Sequence, residues 1–322
     1  MQRPDPLGVL ETTRFVLQQA QSVHLSPEGL DRVAAALLAQ PAGSPSWEHP
    51  LHWRGEREQT ANYVLVLDAL NFCFWPEPRW RVDYRGQVYD GYWALAAALR
   101  RAIEQGEPLW DAAYLARITA EGLARLLAGD GNVPLLAERA ANLRQVGEGL
   151  LAHFGGWFSQ AIEQAGRSAV ALVKLVVQHF PSFDDVARYR DQEVRFYKRA
   201  QLLATDLAGA FRGRDLGEFR DLDQLTAFAD YKLPQVLRYY GALVYSPALA
   251  ARIDRREELP AGSPEEIEIR AATVWAVEEL GHRLAAAGQP MPAWQIDWAL
   301  WNLGQELPPD APPYHRTRTI FY

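Results

Sequence analysis

Apolar positions recur along most of the chain at helical spacing. Ser26 offers an N-cap, Pro27 a first-turn proline and Glu28 a first-turn acid, and Leu30, Val33, Leu37 and Leu38 then form one stripe. Leu115, Ile118, Gly122 and Leu126 read as a further helix with Gly129 as its stop. Leu136, Leu143, Leu150 and Phe154 mark another, ended by Gly155 and Gly156. Residues 194–211 carry Tyr197, Ala204, Leu207 and Phe211 on one side, which predicts a helix over that span. A long final helix is expected over 264–287, capped by Ser263, with Ile267, Ala271, Val274, Trp275 and Glu278 on one face. Strand alternation is confined to residues 80–84 and 87–89 around Arg85 and Gly86, which predicts a single hairpin. The expected fold class is therefore mainly α, a helical unit over residues 1–322 in one lobe or two, with a small β-hairpin element.

Charge narrows the partners. Forty acidic residues against 33 basic ones give a net charge of −7, and a protein that tracks a phosphate backbone needs dense positive charge. A nucleic-acid polymer is thus an unexpected partner, whereas a small phosphorylated ligand remains allowed. The single cysteine, Cys73, excludes an internal disulfide framework or a cysteine-rich metal site. His49 and His52 are three apart with Pro50 between them, the pattern of a packed loop more often than of a ligand pair, and no HExxH occurs. Neither a phosphate loop nor a GxSxG nucleophile motif is present. No metal and no cofactor is called for. No apolar run approaches a membrane span of about 20 residues, and residues 1–10 lack the pattern of a secretory signal. A cytoplasmic protein without a membrane partner is expected.

Eleven tryptophans, 13 tyrosines and 12 phenylalanines exceed what an ordinary core requires. Four clusters combine such residues with polar chemistry. Asp68 to Trp75 sets Asp68 and Asn71 beside Phe72, Phe74 and Trp75. This is either a buried helix end that Asn71 caps or a wall on which a heterocycle stacks while Asn71 or Asp68 reads its edge. Asp230 precedes a helical pattern with proline in its first turn, so an N-cap is the simplest role for it. Lys198 lies at the edge of an apolar stripe, where a lysine either snorkels to water or is buried against a carboxylate. The ending Tyr314 to Tyr322 alternates Arg316 and Arg318 with threonines, a pattern able to hold a phosphate, and its Ile-Phe-Tyr terminus implies a docked tail.

Together the segments Asn71-Phe-Cys-Phe-Trp75, Asp90-Gly-Tyr-Trp-Ala94, Phe196-Tyr-Lys-Arg-Ala-Gln201, Phe228-Ala-Asp-Tyr-Lys-Leu-Pro-Gln235 and Arg316-Thr-Arg-Thr-Ile-Phe-Tyr322 resemble the queuosine salvage protein family. The resemblance runs from about Thr12 to Tyr322. It implies a helical fold related to the helix-hairpin-helix DNA glycosylases and hydrolysis of the N-glycosidic bond of queuosine 5′-monophosphate, releasing queuine. It also implies that Asp230 is the catalytic carboxylate and Lys198 the lysine beside it. Candidate substrate-binding residues are Asp68, Asn71, Phe72, Phe74, Trp75, Asp90, Trp93, Tyr231, Arg316, Arg318 and Tyr322. A carboxylate near the anomeric carbon can stabilise an oxocarbenium-like state or attack it covalently, and a neighbouring ammonium holds that carboxylate ionised. The competing readings are a non-catalytic module that binds a modified nucleoside or a protein, and a DNA glycosylase that extrudes its base.

Overall fold

The structure, a computed structural model, describes residues 3–40 and 47–322. Contacts within the chain gather into two units, each assembled from separated stretches. The first comprises Met1–Pro45, Asp185–Lys198 and Asp221–Arg318; the second comprises Ser46–Asp184, Arg199–Arg220 and Thr319–Tyr322.

The first unit is built around the helix Pro264–Ala286, whose Ser263 hydroxyl accepts the Glu266 amide. Its apolar residues Ile269, Ala272, Ala276, Val277 and Leu280 share a core with Leu30, Val33 and Leu37 of the Pro27–Leu38 helix and with Ile296 and Leu300 of Ala293–Gln305. Ser26 caps Pro27–Leu38 as its sequence implies, through the Gly29 amide. Gly29 is required by packing, because a Cβ there would lie 2.0 Å from the Gly241 carbonyl oxygen. The helix expected over 264–287 is therefore present, but it is not the last, since Ala293–Gln305 follows it.

Two further expectations are corrected here. The span 194–211 is not one helix: Val194 and Arg195 belong to the strand Gln192–Arg195, paired with Val186–Tyr189, and the helix begins only at Lys198. Tyr197, with φ +49°, makes the break, because a left-handed residue cannot continue a right-handed helix. The single hairpin is one of three two-stranded antiparallel pairs among the described residues; the third joins Val23–Leu25 to Leu243–Tyr245. Strands of three residues carry too little alternation to be read from sequence.

In the second unit, the expected hairpin forms between Arg81–Tyr84 and Gln87–Asp90 and leads into the helix Gly91–Glu104. Leu136–His153 ends at the Gly155–Gly156 stop. The pattern over 115–126 resolves into two short helices, Ala112–Leu115 and Ala120–Leu126, because the Thr119 hydroxyl caps the second by accepting the Gly122 amide. Arg57–Ala69 is buried from Thr60 to its end, which explains its lack of a polar face. Among the described residues no helix is long and apolar enough to cross a membrane.

Candidate active site

Asp230 ends an extended run and caps the helix Lys232–Tyr239. Its Oδ1 accepts the amides of Lys232 at 2.7 Å and Leu233 at 2.9 Å. The N-cap role is thus real, and both of these bonds fall on one oxygen, which fixes the direction of Oδ2. Asp230 is buried, and burial raises its pKa above the ordinary aspartate value. The Lys198 ammonium is the largest opposing influence, ahead of the two amides and Lys232. The first unit therefore brings together the two residues that the FYKRAQ and FADYKLPQ segments supply.

Their surroundings are rigidly held. Lys198 opens its helix, and its amide donates to Asp185 Oδ2 at 3.1 Å. The Phe228 amide donates to Asp297 Oδ1 at 2.7 Å, anchoring the run that ends in Asp230. Tyr231 lies half-buried with its ring 4.9 Å from that of Tyr314. Lys232 Nζ donates to the Gly304 carbonyl at 3.1 Å. His315 is buried, and desolvation with the nearby Arg270 charge pushes its pKa down to about 3, so it is neutral at physiological pH. Arg316 is half-buried, and its carbonyl accepts the Leu259 amide. Arg318 is exposed and forms an ion pair with Glu258 at 3.1 Å.

The other candidate residues belong to the second unit. Asp68 and the carbonyls around it close the Arg57–Ala69 helix. Their donors include Arg199 to Asp68 and Ala69 (3.0 and 2.9 Å), from the Phe196–Gln201 segment, and two side chains outside the motif segments, Asn142 to Ala69 (3.2 Å) and Arg139 to Leu70 and Phe72. Phe72 is fully buried between cations, with Arg139 4.2 Å and Arg199 5.2 Å from its ring centroid, and Phe74 also packs on Arg139. These rings are platforms for guanidinium groups. Asn71 is half-buried, and Trp75 is buried. Asp90 is exposed and pairs with Arg79 at 2.8 Å. Trp93 stacks near His49, with centroids 3.9 Å apart, while His52 packs on Trp47 at 4.0 Å. Tyr322 is buried, and its carbonyl oxygen accepts the Cys73 amide at 2.9 Å, so the tail is docked. Burial raises the Tyr63 and Tyr92 hydroxyls, and the charges of Asp68 and Asp206 push both further up. The second unit therefore contains a buried setting that is both acidic and aromatic.

Sequence reasoning missed Asp185 and Arg270, which join by two contacts of 3.0 and 2.6 Å. A signal existed for one of them. Arg270 falls three residues after Ile267 and four before Val274, a charged residue on an apolar stripe.

Comparison with known proteins identifies the family. The family model described as queuosine salvage protein matches residues 51–322. A protein of Sphaerobacter thermophilus named queuosine 5′-phosphate N-glycosylase/hydrolase is 60% identical over 99% of this chain and 98% of its own length. Proteins of the same name from Mus musculus and Schizosaccharomyces pombe are 38% and 30% identical, covering 98% and 92% of this chain and 99% and 91% of their own lengths. The chain belongs to the queuosine salvage protein family.

Proposed function

We propose that the protein hydrolyses the N-glycosidic bond of queuosine 5′-monophosphate, releasing queuine and ribose 5-phosphate. Family membership supports the substrate class, and the observation that carries the chemistry is the buried Asp230 carboxylate within the field of Lys198. As the bond from C1′ to the base nitrogen breaks, its electron pair leaves with the base and positive charge grows on the sugar. Asp230 stabilises that charge through Oδ2, since Oδ1 is held by two amides. Water then adds at C1′, either directly or after a covalent aspartyl ester, and the base takes up a proton. Lys198 opposes the upward push of burial on the Asp230 carboxyl and so favours its anion. The half-buried Arg316 is the candidate for the single phosphate, and Tyr231 for the sugar. No metal, cofactor, nucleic-acid polymer or membrane enters this reading.

The test is release of queuine, detected by mass, from queuosine 5′-monophosphate. Asp230→Asn keeps an oxygen for the two amides but removes the charge, and should lower kcat by about 10²–10³-fold or more. The acid limb of the rate profile should lie above the ordinary aspartate range, because the raised pKa of Asp230 leaves it protonated and inactive at a higher pH. Wild-type release retained by Asp230→Asn would remove Asp230 from the chemistry. Tight binding without release would favour a binding module, and loss of a base from an oligonucleotide would favour a DNA glycosylase.

A further inference from the structure

Three consecutive amides converge on one residue at the start of the Lys198–Ala210 helix. The Asp185 carbonyl accepts from Phe196 at 3.0 Å and Tyr197 at 3.1 Å, and Asp185 Oδ2 accepts from Lys198 at 3.1 Å. The same carboxylate is held as a fork by Arg270, with Nη1 to Oδ1 at 3.0 Å and Nη2 to Oδ2 at 2.6 Å. Both side chains are 2% exposed. The third guanidinium nitrogen, Nε, donates to the Ala229 carbonyl at 3.2 Å, one residue before Asp230. The guanidinium carbon lies 3.9 Å from the centroid of Phe196. Arg270 thus touches the main chain or ring of both segments that supply the reacting pair.

Resting on the reading of Asp230 and Lys198 given above, we propose that Asp185 and Arg270 form the positioning device that sets the Lys198 ammonium against the Asp230 carboxylate. A buried ion pair is a poor source of stability, because desolvation offsets its Coulomb attraction. Its planar, two-point geometry is a good source of orientation. An apolar pair could fill the same volume and would keep the main-chain carbonyl that accepts Phe196 and Tyr197, but it could not hold the Lys198 amide and the Ala229 carbonyl. Tyr197 sits in the left-handed region, a conformation that persists only where its neighbours over-determine it, and the Asp185 carbonyl supplies one such restraint. The charged and polar groups facing Asp230 are Lys198, Lys232 and the amides of Lys232 and Leu233. Those facing Arg270 include Asp185, Glu266 at 3.8 Å, the Ala229 carbonyl and neutral His315. Of the groups facing Asp230, Lys198 is the one whose main chain Asp185 anchors.

The test reads Asp230 directly, without substrate. In full-length protein carrying ¹³C-labelled aspartate, the Asp230 carboxyl signal is assigned by its absence in Asp230→Asn. It is then titrated in wild type, Asp185→Asn, Arg270→Lys, Lys198→Met and the double variant Asp185→Asn/Lys198→Met. The expected result is an upward shift of the Asp230 midpoint in Asp185→Asn and in Lys198→Met, each about tenfold in proton affinity, with no further shift in the double variant. In turnover, Asp185→Asn should lower kcat more than it raises KM. An unchanged midpoint in folded Asp185→Asn, or shifts that add in the double variant, would overturn the proposal. Arg270→Lys retains a positive charge opposite Asp185 but cannot reach both Asp185 and Ala229 as a planar fork. It should give the same shift, and it carries the measurement if Asp185→Asn does not fold. Wild-type protein that releases no queuine would remove the functional reading while leaving this titration to judge the positioning role.

Discussion

In the first unit, Arg270 meets the Asp185 carboxylate, and the pair is buried at the root of the proposed catalytic residues. In the second, Arg139 and Arg199 are also fully buried, but they donate to main-chain carbonyls and lie against aromatic rings. Besides Pro134 and Ser182, the carbonyls served lie at or just past the end of the Arg57–Ala69 helix, where the last acceptors have no partner within the helix and partial negative charge collects. The same side chain thus does two jobs. At the helix end it completes hydrogen bonding that the backbone cannot complete for itself. Beside Asp185 it locks two segments in a common plane.

The contrast can be broken by experiment. Arg139→Met removes donors from the Pro134, Leu70 and Phe72 carbonyls and should destabilise by about 1–3 kcal/mol for each acceptor left buried. Arg270→Met isolates the buried Asp185 carboxylate, at about 3–5 kcal/mol. Urea unfolding of a further variant separates the two. Asp185→Asn/Arg270→Met removes the buried charge together with its partner and should recover part of the Arg270→Met loss, whereas the carbonyls beside Arg139 stay in the main chain whatever side chain is changed. A double variant no more stable than Arg270→Met would erase the distinction.

A smaller effect comes from His52, whose pKa burial pushes from 6.5 down to about 4. Because the folded-state value is depressed, its contribution is intact above about 6.5 and is lost as pH falls toward 4. His52→Phe should therefore reduce the stability difference between pH 7 and pH 5 by about 2 kcal/mol; an unchanged difference would show that His52 does not stay neutral. Arg318→Ala should be smallest. Its partner Glu258 is half exposed, so a thermal melt should show a change under about 1 kcal/mol, and a larger loss would mean the tail depends on that pair.

Local chemistry was legible where a signal lay in adjacent residues. Ser26 and Ser263 announce their helices, Arg85 and Gly86 their hairpin, and Asp230 its cap, because a cap or turn is decided by a few neighbours. The motif segments likewise carried the family. Three features were illegible in the same chain. The break before Lys198 depends on Tyr197 adopting a positive φ that its residue type does not favour. The strand pair of Val23–Leu25 with Leu243–Tyr245 joins distant segments too short to show a period. That Phe72 and Phe74 pack on Arg139, far along the chain, carries no local signal at all.

The sequence by itself determined a mainly helical, acidic, aromatic-rich protein of the queuosine salvage family and set Lys198 and Asp230 in its motif segments. Only the tertiary structure decided that Asp185 and Arg270 pair beside the segments carrying those residues, and that Arg139 and Arg199 donate at a helix end. The reason is physical. A buried charge is tolerable only beside a partner, and that partner is chosen by packing in space rather than by position along the chain.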